Sequence, residues 1–116
     1  METTAKLRRL RAAPRKVRLV ADLVRGKKVG QALRDLAFCN KRAAGPVEKL
    51  IKSAVANATQ AHPDLDVDTL WVKSIRVDGG PIMWKIMPRA MGRAFWVSKR
   101  TSHIEVILAD AEQKAA

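Results

Sequence analysis

The stretch from Asp78 to His103, DGGPIMWKIMPRAMGRAFWVSKRTSH, most narrows the folds open to this chain. It lies between two β-like segments, carries Lys85, Arg89, Arg93, Lys99 and Arg100, and has no acidic residue between Asp78 and Glu105. Loops of this length are uncommon inside compact domains, and one that is both basic and apolar calls for a partner. The flanking alternation makes it a β-hairpin arm over residues 79–102, projecting from the body. With about ten residues on each side and about 3.3 Å per residue, it reaches about 30 Å. A two-stranded ribbon of that length is marginal in water by itself, so the expected partner is a polyanion.

The charge balance gives the same direction. Lys and Arg number 23 against 11 Asp and Glu, a net charge of +12 on 116 residues. Such self-repulsion is relieved most readily by nucleic acid or an anionic membrane. Lys6, Arg8, Arg9, Arg11, Arg15, Lys16, Arg18, Arg25, Lys27 and Lys28 face only Glu2 and Asp22 in the first part of the chain, and the arm is basic again. The length fits one domain over residues 1–116, without linker, repeat or low-complexity tract. One cysteine, Cys39, excludes an internal disulfide framework and fits a reducing compartment. METTAKLRRLR has no apolar signal region and no apolar run is long enough to span a bilayer, so a soluble, intracellular chain is expected.

Along the chain, residues 5–12 read as a short strand. Pro14 opens a helix to Arg25, with Val17, Val20, Ala21 and Val24 as its apolar stripe, Leu19 and Leu23 widening it, and Gly26 just past its end. Arg15, Lys16 and Arg18 near its start oppose the helix dipole unless phosphates lie there. Val29 to Cys39 reads as a second helix. Val47, Leu50, Ile51, Ala54, Val55 and Ala58 define the third, which either begins with Pro46 in its first turn or starts near Lys41 and kinks at Gly45-Pro46. Leu65 to Asp78 reads as strand, with a change of parity across Lys73-Ser74 that predicts a bulge or a doubly covered strand. Ile104, Val106 and Leu108 mark the return strand, and residues 109–116 read as a frayed tail. The expected class is α+β: three helices on a small antiparallel sheet of about three strands, with the hairpin arm protruding.

Enzyme chemistry finds little support. His62 and His103 are far apart, Cys39 stands alone, and metal, nucleophile-elbow and phosphate-loop motifs are absent from the sequence. Ser102 and His103 alternate to opposite faces of a strand. No catalytic residue, metal or cofactor is expected. Arg8, Arg9, Arg11, Arg15, Lys16 and Arg18 instead lie on a strand, a turn and a helix start that can converge on phosphates, although a charge run is ordinarily a solvated face. Trp84, Phe95 and Trp96 beside Lys85, Arg89 and Arg93 suit either base stacking or cross-strand bracing, with Trp84 opposing Trp96 if the turn centres near Ala90. Met83, Met87 and Met91 read as an exposed apolar lining.

PRKVRLVADLVRGKKV at 14–29, KSAVANA at 52–58, IMPRAMGRA at 86–94 and KRTSHIEV at 99–106 resemble, in this order and spacing, the large-subunit ribosomal protein family numbered twenty-two in the bacterial scheme. The resemblance implies a structural constituent of the cytoplasmic large ribosomal subunit that contacts several rRNA domains and aids assembly. It also implies a hairpin whose tip lines the nascent-peptide exit tunnel beside neighbouring ribosomal proteins. Partners would be large-subunit rRNA, those proteins and the nascent polypeptide, with no membrane, the chain being monomeric within the ribosome. Arg15, Lys16, Arg18, Lys27, Lys28, Lys99, Arg100 and His103 would face RNA. With Arg8, Arg9, Arg11, Arg25, Lys85, Arg89 and Arg93 they make up the expected rRNA-binding set. Met83, Trp84, Lys85, Ile86, Met87, Pro88, Arg89, Ala90 and Met91 would form the tunnel-lining tip. The chain departs from the family pattern at Ala13, where Ser often caps the helix at a gain of about 1 kcal/mol. It departs again at Gly45-Pro46 and at Trp84, Met91, Phe95 and Trp96 in the arm. A free-standing basic nucleic-acid-binding or regulatory module is the alternative.

Overall fold

The computed structural model describes residues 2–110. In chain order its strands are β1 (Glu2–Leu10), β2 (Trp71–Gly79), β3 (Met83–Pro88), β4 (Ala94–Lys99) and β5 (Ser102–Ala109), and its helices are α1 (Pro14–Val24), α2 (Val29–Ala37) and α3 (Ala44–Ala61). β5 lies in the middle of an antiparallel sheet, β1-β5-β2, while β3 and β4 pair only with each other. The fold is α+β, as the order of patterns predicts.

The core explains the sheet. Ile104, Val106 and Leu108 on β5 are buried, and the register sets Leu7, Ala5 and Thr3 of β1 against them on one side and Val77, Ile75 and Val72 of β2 on the other. The change of parity in β2 is a bulge: Val72 faces Leu108 and Ser74 faces Ile107, so Lys73 is an inserted residue that keeps Val72 and Ile75 on the same face. Against this face pack Val17, Val20, Ala21 and Val24 of α1, Val29, Ala32 and Leu36 of α2, and Val47, Leu50, Ile51, Ala54 and Ala58 of α3. Each fully buried aliphatic side chain contributes roughly 1.5–3 kcal/mol relative to exposure. Leu19 and Leu23 do not widen the α1 stripe: they are 61% and 39% exposed, because α1 touches the sheet and its neighbours along the Val17–Val24 side.

Several boundaries move for local reasons. β1 occupies residues 2–10 rather than 5–12, and Leu65 to Leu70 is not strand. Asp66 turns the chain there, its side chain accepting from Asp68 N at 3.0 Å and its carbonyl from Thr69 Oγ1 at 2.7 Å. α3 begins at Ala44 with Gly45 and Pro46 inside its first turn, where the missing Pro46 N–H leaves no bond unmade. Ala109, read as tail, is a buried residue of β5, and residues 111–116 lie outside the described residues. The free edge of β2 is covered by the α1–α2 loop, where Gly26 N donates to Val72 O and Val72 N to Lys27 O. Gly26 takes φ +80°, the left-handed turn that ends α1.

The arm is β3 and β4 in register from Met83↔Lys99 to Pro88↔Ala94. It gives the molecule extents of 65 × 25 × 22 Å. The turn centres on Met91 rather than Ala90, and that one-residue shift moves every cross-strand partner by two. Trp96 therefore faces Ile86, and Trp84 faces Ser98, so the two tryptophans are diagonal neighbours. At the root, Gly80 N donates to Thr101 O, Thr101 Oγ1 donates to Pro81 O, and the buried Ser102 Oγ donates to Ala12 O. A Cβ on Gly80 would lie 2.5 Å from Thr101 Oγ1 and 3.2 Å from the His103 ring. Replacing Ser102 by Ala leaves the Ala12 carbonyl without its donor and lowers stability by about 1–3 kcal/mol in denaturant unfolding. An unchanged midpoint would contradict this role.

Candidate nucleic-acid interface

The basic residues divide into two groups by what they touch. Some serve the fold. Arg18 Nε and Nη2 donate to Val77 O, Arg25 Nη2 donates to Ile75 O, and Arg25 also pairs with Asp22, so Arg18 on α1 and Arg25 just past its end grip carbonyls of β2. Lys27 Nζ is 2.6 Å from Asp35 Oδ2, and Lys6, Lys52, Lys73 and Arg76 also meet acids. Arg8, Arg9, Arg11, Arg15, Lys16, Lys28, Lys41, Arg42, Lys85, Arg89, Arg93, Lys99 and Arg100 make no ion pair with any acid among the described residues.

Five of these converge. A groove of about 780 Å³ at the root of the arm is lined by Arg11, Lys16, Lys41, Arg42 and Arg100 together with Leu10, Ala12, Ala13, Leu19, Ala43, Pro46 and Ser98, and holds no acidic side chain. Arg11 Nη1 donates to Arg100 O at 3.0 Å, which holds two arginines side by side. Like charges placed together without an acid repel, and a bound anion reverses the sign of that term. The same groove takes in the starts of two helices. Ala13 precedes α1 and Ala43 precedes α3, neither has a side-chain cap, and neither first turn carries an acid. Ala13 and Ala43 both line the groove, so the positive ends of both helix dipoles lie beside the cations, a combination suited to phosphate.

A second recess, of about 340 Å³, gathers Arg8, Arg9 and His103 with Lys6, Asp78 and Glu105. It is mixed in charge. Its geometry is set by a bulge in β1 between Leu7 and Leu10, where Arg9 takes φ 58° and donates its N–H to His103 Nδ1 at 3.1 Å. A left-handed arginine costs roughly 1–2 kcal/mol, and the bond to His103 offsets part of it. Ser102 and His103 do lie on opposite faces and make separate bonds.

The arm carries its cations on one side. Lys85 and Lys99 share a face with Met83, Met87, Phe95 and Val97, and Arg89 and Arg93 close the tip, where Arg89 N donates to Arg93 O. Met83 is 69% and Met91 94% exposed, whereas Met87 is half-buried. Arg15 and Lys28 are exposed on the body, outside the groove.

Sequence reasoning overlooked Lys41 and Arg42. They sit in a short break between helices whose only visible property is to end a pattern, and the fold alone carries them to Arg11 and Arg100. Among the described residues no three His, Cys, Asp or Glu side chains group as metal ligands, and no helix is long and apolar enough to cross a membrane.

Comparison with known proteins gives a consistent result. The family described as Ribosomal protein L22p/L17e matches residues 5–109, which span the three helices, the groove and the whole arm. The large ribosomal subunit protein uL22 of Myxococcus xanthus (strain DK1622) is 57% identical over 114 residues, covering 97% of this chain and 100% of that relative. The chain belongs to the L22p/L17e family of ribosomal proteins.

Proposed function

We propose that this ribosomal protein is a structural, non-catalytic constituent of the cytoplasmic large subunit. It binds rRNA through the groove at the root of its arm, aids subunit assembly, and lines the peptide exit tunnel with the arm tip. The observation that carries the reading is the convergence of Arg11, Lys16, Lys41, Arg42 and Arg100 on two uncapped helix starts without any acid. Family membership supplies the setting in which such a surface meets phosphate.

Within this reading the cations have different tasks. The groove residues hold backbone phosphates near the body, and Lys85, Arg89, Arg93 and Lys99 extend the contact along the arm. Arg8, Arg9 and His103 border the second recess and add a flank to the surface, as do Arg15 and Lys28. Arg18, Arg25 and Lys27 hold α1 and the α1–α2 loop to β2 and orient the interface. The tip from Met83 to Met91 presents exposed Met83, Trp84, Ile86 and Met91 alongside its two cations, which suits the wall of a narrow channel passed by a nascent polypeptide beside other ribosomal proteins.

If about six to ten phosphates are contacted, affinity for rRNA falls by roughly a thousandfold to a hundred-thousandfold between low and moderate salt. Replacing Lys41, Arg42 and Arg100 by Ala lowers the slope of log affinity against log salt by about one for each lost contact. Arg25→Ala, in contrast, leaves the slope unchanged and lowers stability by about 1 kcal/mol. A groove variant with the original slope would remove the groove from the interface. A photo-crosslinker at Met91 is expected to capture stalled nascent chains in translating ribosomes. Crosslinks to rRNA and proteins alone would place the tip outside the tunnel lumen.

A further inference from the structure

The two faces of the arm differ in chemistry. Cross-strand partners share a face, so Trp84, Ile86 and Pro88 stand with Ser98, Trp96 and Ala94, and that face has no charged side chain. The opposite face bears Lys85 and Lys99. Trp84 is 60% exposed, Trp96 65% and Ile86 53%. Bracing of the ribbon accounts for only part of this. Ile86 lies opposite Trp96, but Trp84 has Ser98 opposite it, a side chain too small to cover an indole.

We propose that the Trp84–Trp96 face of the arm stacks on unpaired nucleobases of RNA while the opposite face meets phosphates. This rests on the reading of the chain as an rRNA-binding protein and adds to it a site and a mode of recognition. Charge complementarity selects the occupant. The arm from 79 to 102 holds five cations and no acid, so it suits a partner that is anionic along its length and uncharged on its flat faces. A nucleotide has both properties, an anionic phosphate and a π-faced base. An acidic peptide would be drawn to the Lys85–Lys99 face and leave the indoles uncovered. On a two-stranded ribbon every residue is near an edge, with strands about 4.8 Å apart. The stems of Lys85 and Lys99 therefore reach phosphates that flank bases stacked on the other side. Diagonal placement sets the two tryptophan backbone positions about 7–8 Å apart, which gives each indole its own place on the ribbon and lets each take its own base.

The test compares the full chain with the Trp84→Leu/Trp96→Leu variant, using a short oligouridylate and an RNA duplex of equal length at the same salt. Trp71, half-buried on β2 with its indole N–H on the Asp110 carbonyl, is a reference fluorophore outside the arm. Oligouridylate is expected to quench the fluorescence of the unaltered chain strongly. The double variant is expected to lose that quenching and about tenfold or more in single-strand affinity, with duplex affinity changed by less than about twofold. Trp84→Phe/Trp96→Phe is expected to restore most of the affinity. Equal losses for both RNAs, no loss for either, or quenching by an apolar peptide but not by oligouridylate would overturn the stacking assignment and leave rRNA binding intact. Failure of the unaltered chain to bind either RNA or rRNA would instead refute the underlying reading.

Discussion

The arm depends on the joint at which it leaves the body. Gly80 and Pro81 are tied to Thr101 by a backbone bond and a hydroxyl bond, and the next residue, Ser102, is buried with its hydroxyl on the Ala12 carbonyl. One short region thereby connects the arm, the middle strand β5 and the turn before α1. A Cβ on Gly80 would displace the Thr101 hydroxyl that bonds Pro81 O and press on the His103 ring. Because Ala12, Ala13 and Arg100 also line the basic groove, the bonds that fix the direction of the arm fix the groove beside it.

Electrostatics and packing then divide the cations. Where an acid or a strand carbonyl is near, as at Arg18, Arg25 and Lys27, the charge is used inside the fold, gripping the edge of β2 and closing the α1–α2 loop. Where none is near, charges accumulate at two uncapped helix starts. A chain under selection for its isolated stability would place Ser or Asp before those helices and acids in their first turns. The arrangement at Ala13 and Ala43 is unfavourable without a ligand and favourable with an anion, and that asymmetry is what supports the proposed phosphate-binding role of the groove.

Periodicity made the body legible. The helix stripes and the return strand followed from which residues must share a face, because burial leaves little choice, and the change of parity at Lys73-Ser74 narrowed β2 to a bulge or a doubly covered strand, of which the bulge is found. Leu19 and Leu23 were misplaced because a helix pattern gives the apolar direction but not the width that neighbours cover. The arm's existence was legible from its acid-free composition, whereas its register was not. No burial pins a ribbon exposed on both faces, so a turn centred one residue away changed the partner of every aromatic. The groove was half legible. Arg11, Lys16 and Arg100 stood in basic runs, but Lys41 and Arg42 join them only through the packing of α3 on β1. The family motifs carried the functional setting.

The central claim is that the groove and arm form one RNA-facing surface, anchored at the root and extended to the tip. A cryo-EM map of the large subunit from cells that make this protein tests it most directly. The account predicts density for this chain with phosphates in the groove formed by Arg11, Lys16, Lys41, Arg42 and Arg100, and with β3 and β4 running inward to the tunnel wall. A map with the chain seated but its groove open to solvent and its arm lying on the subunit surface would contradict it.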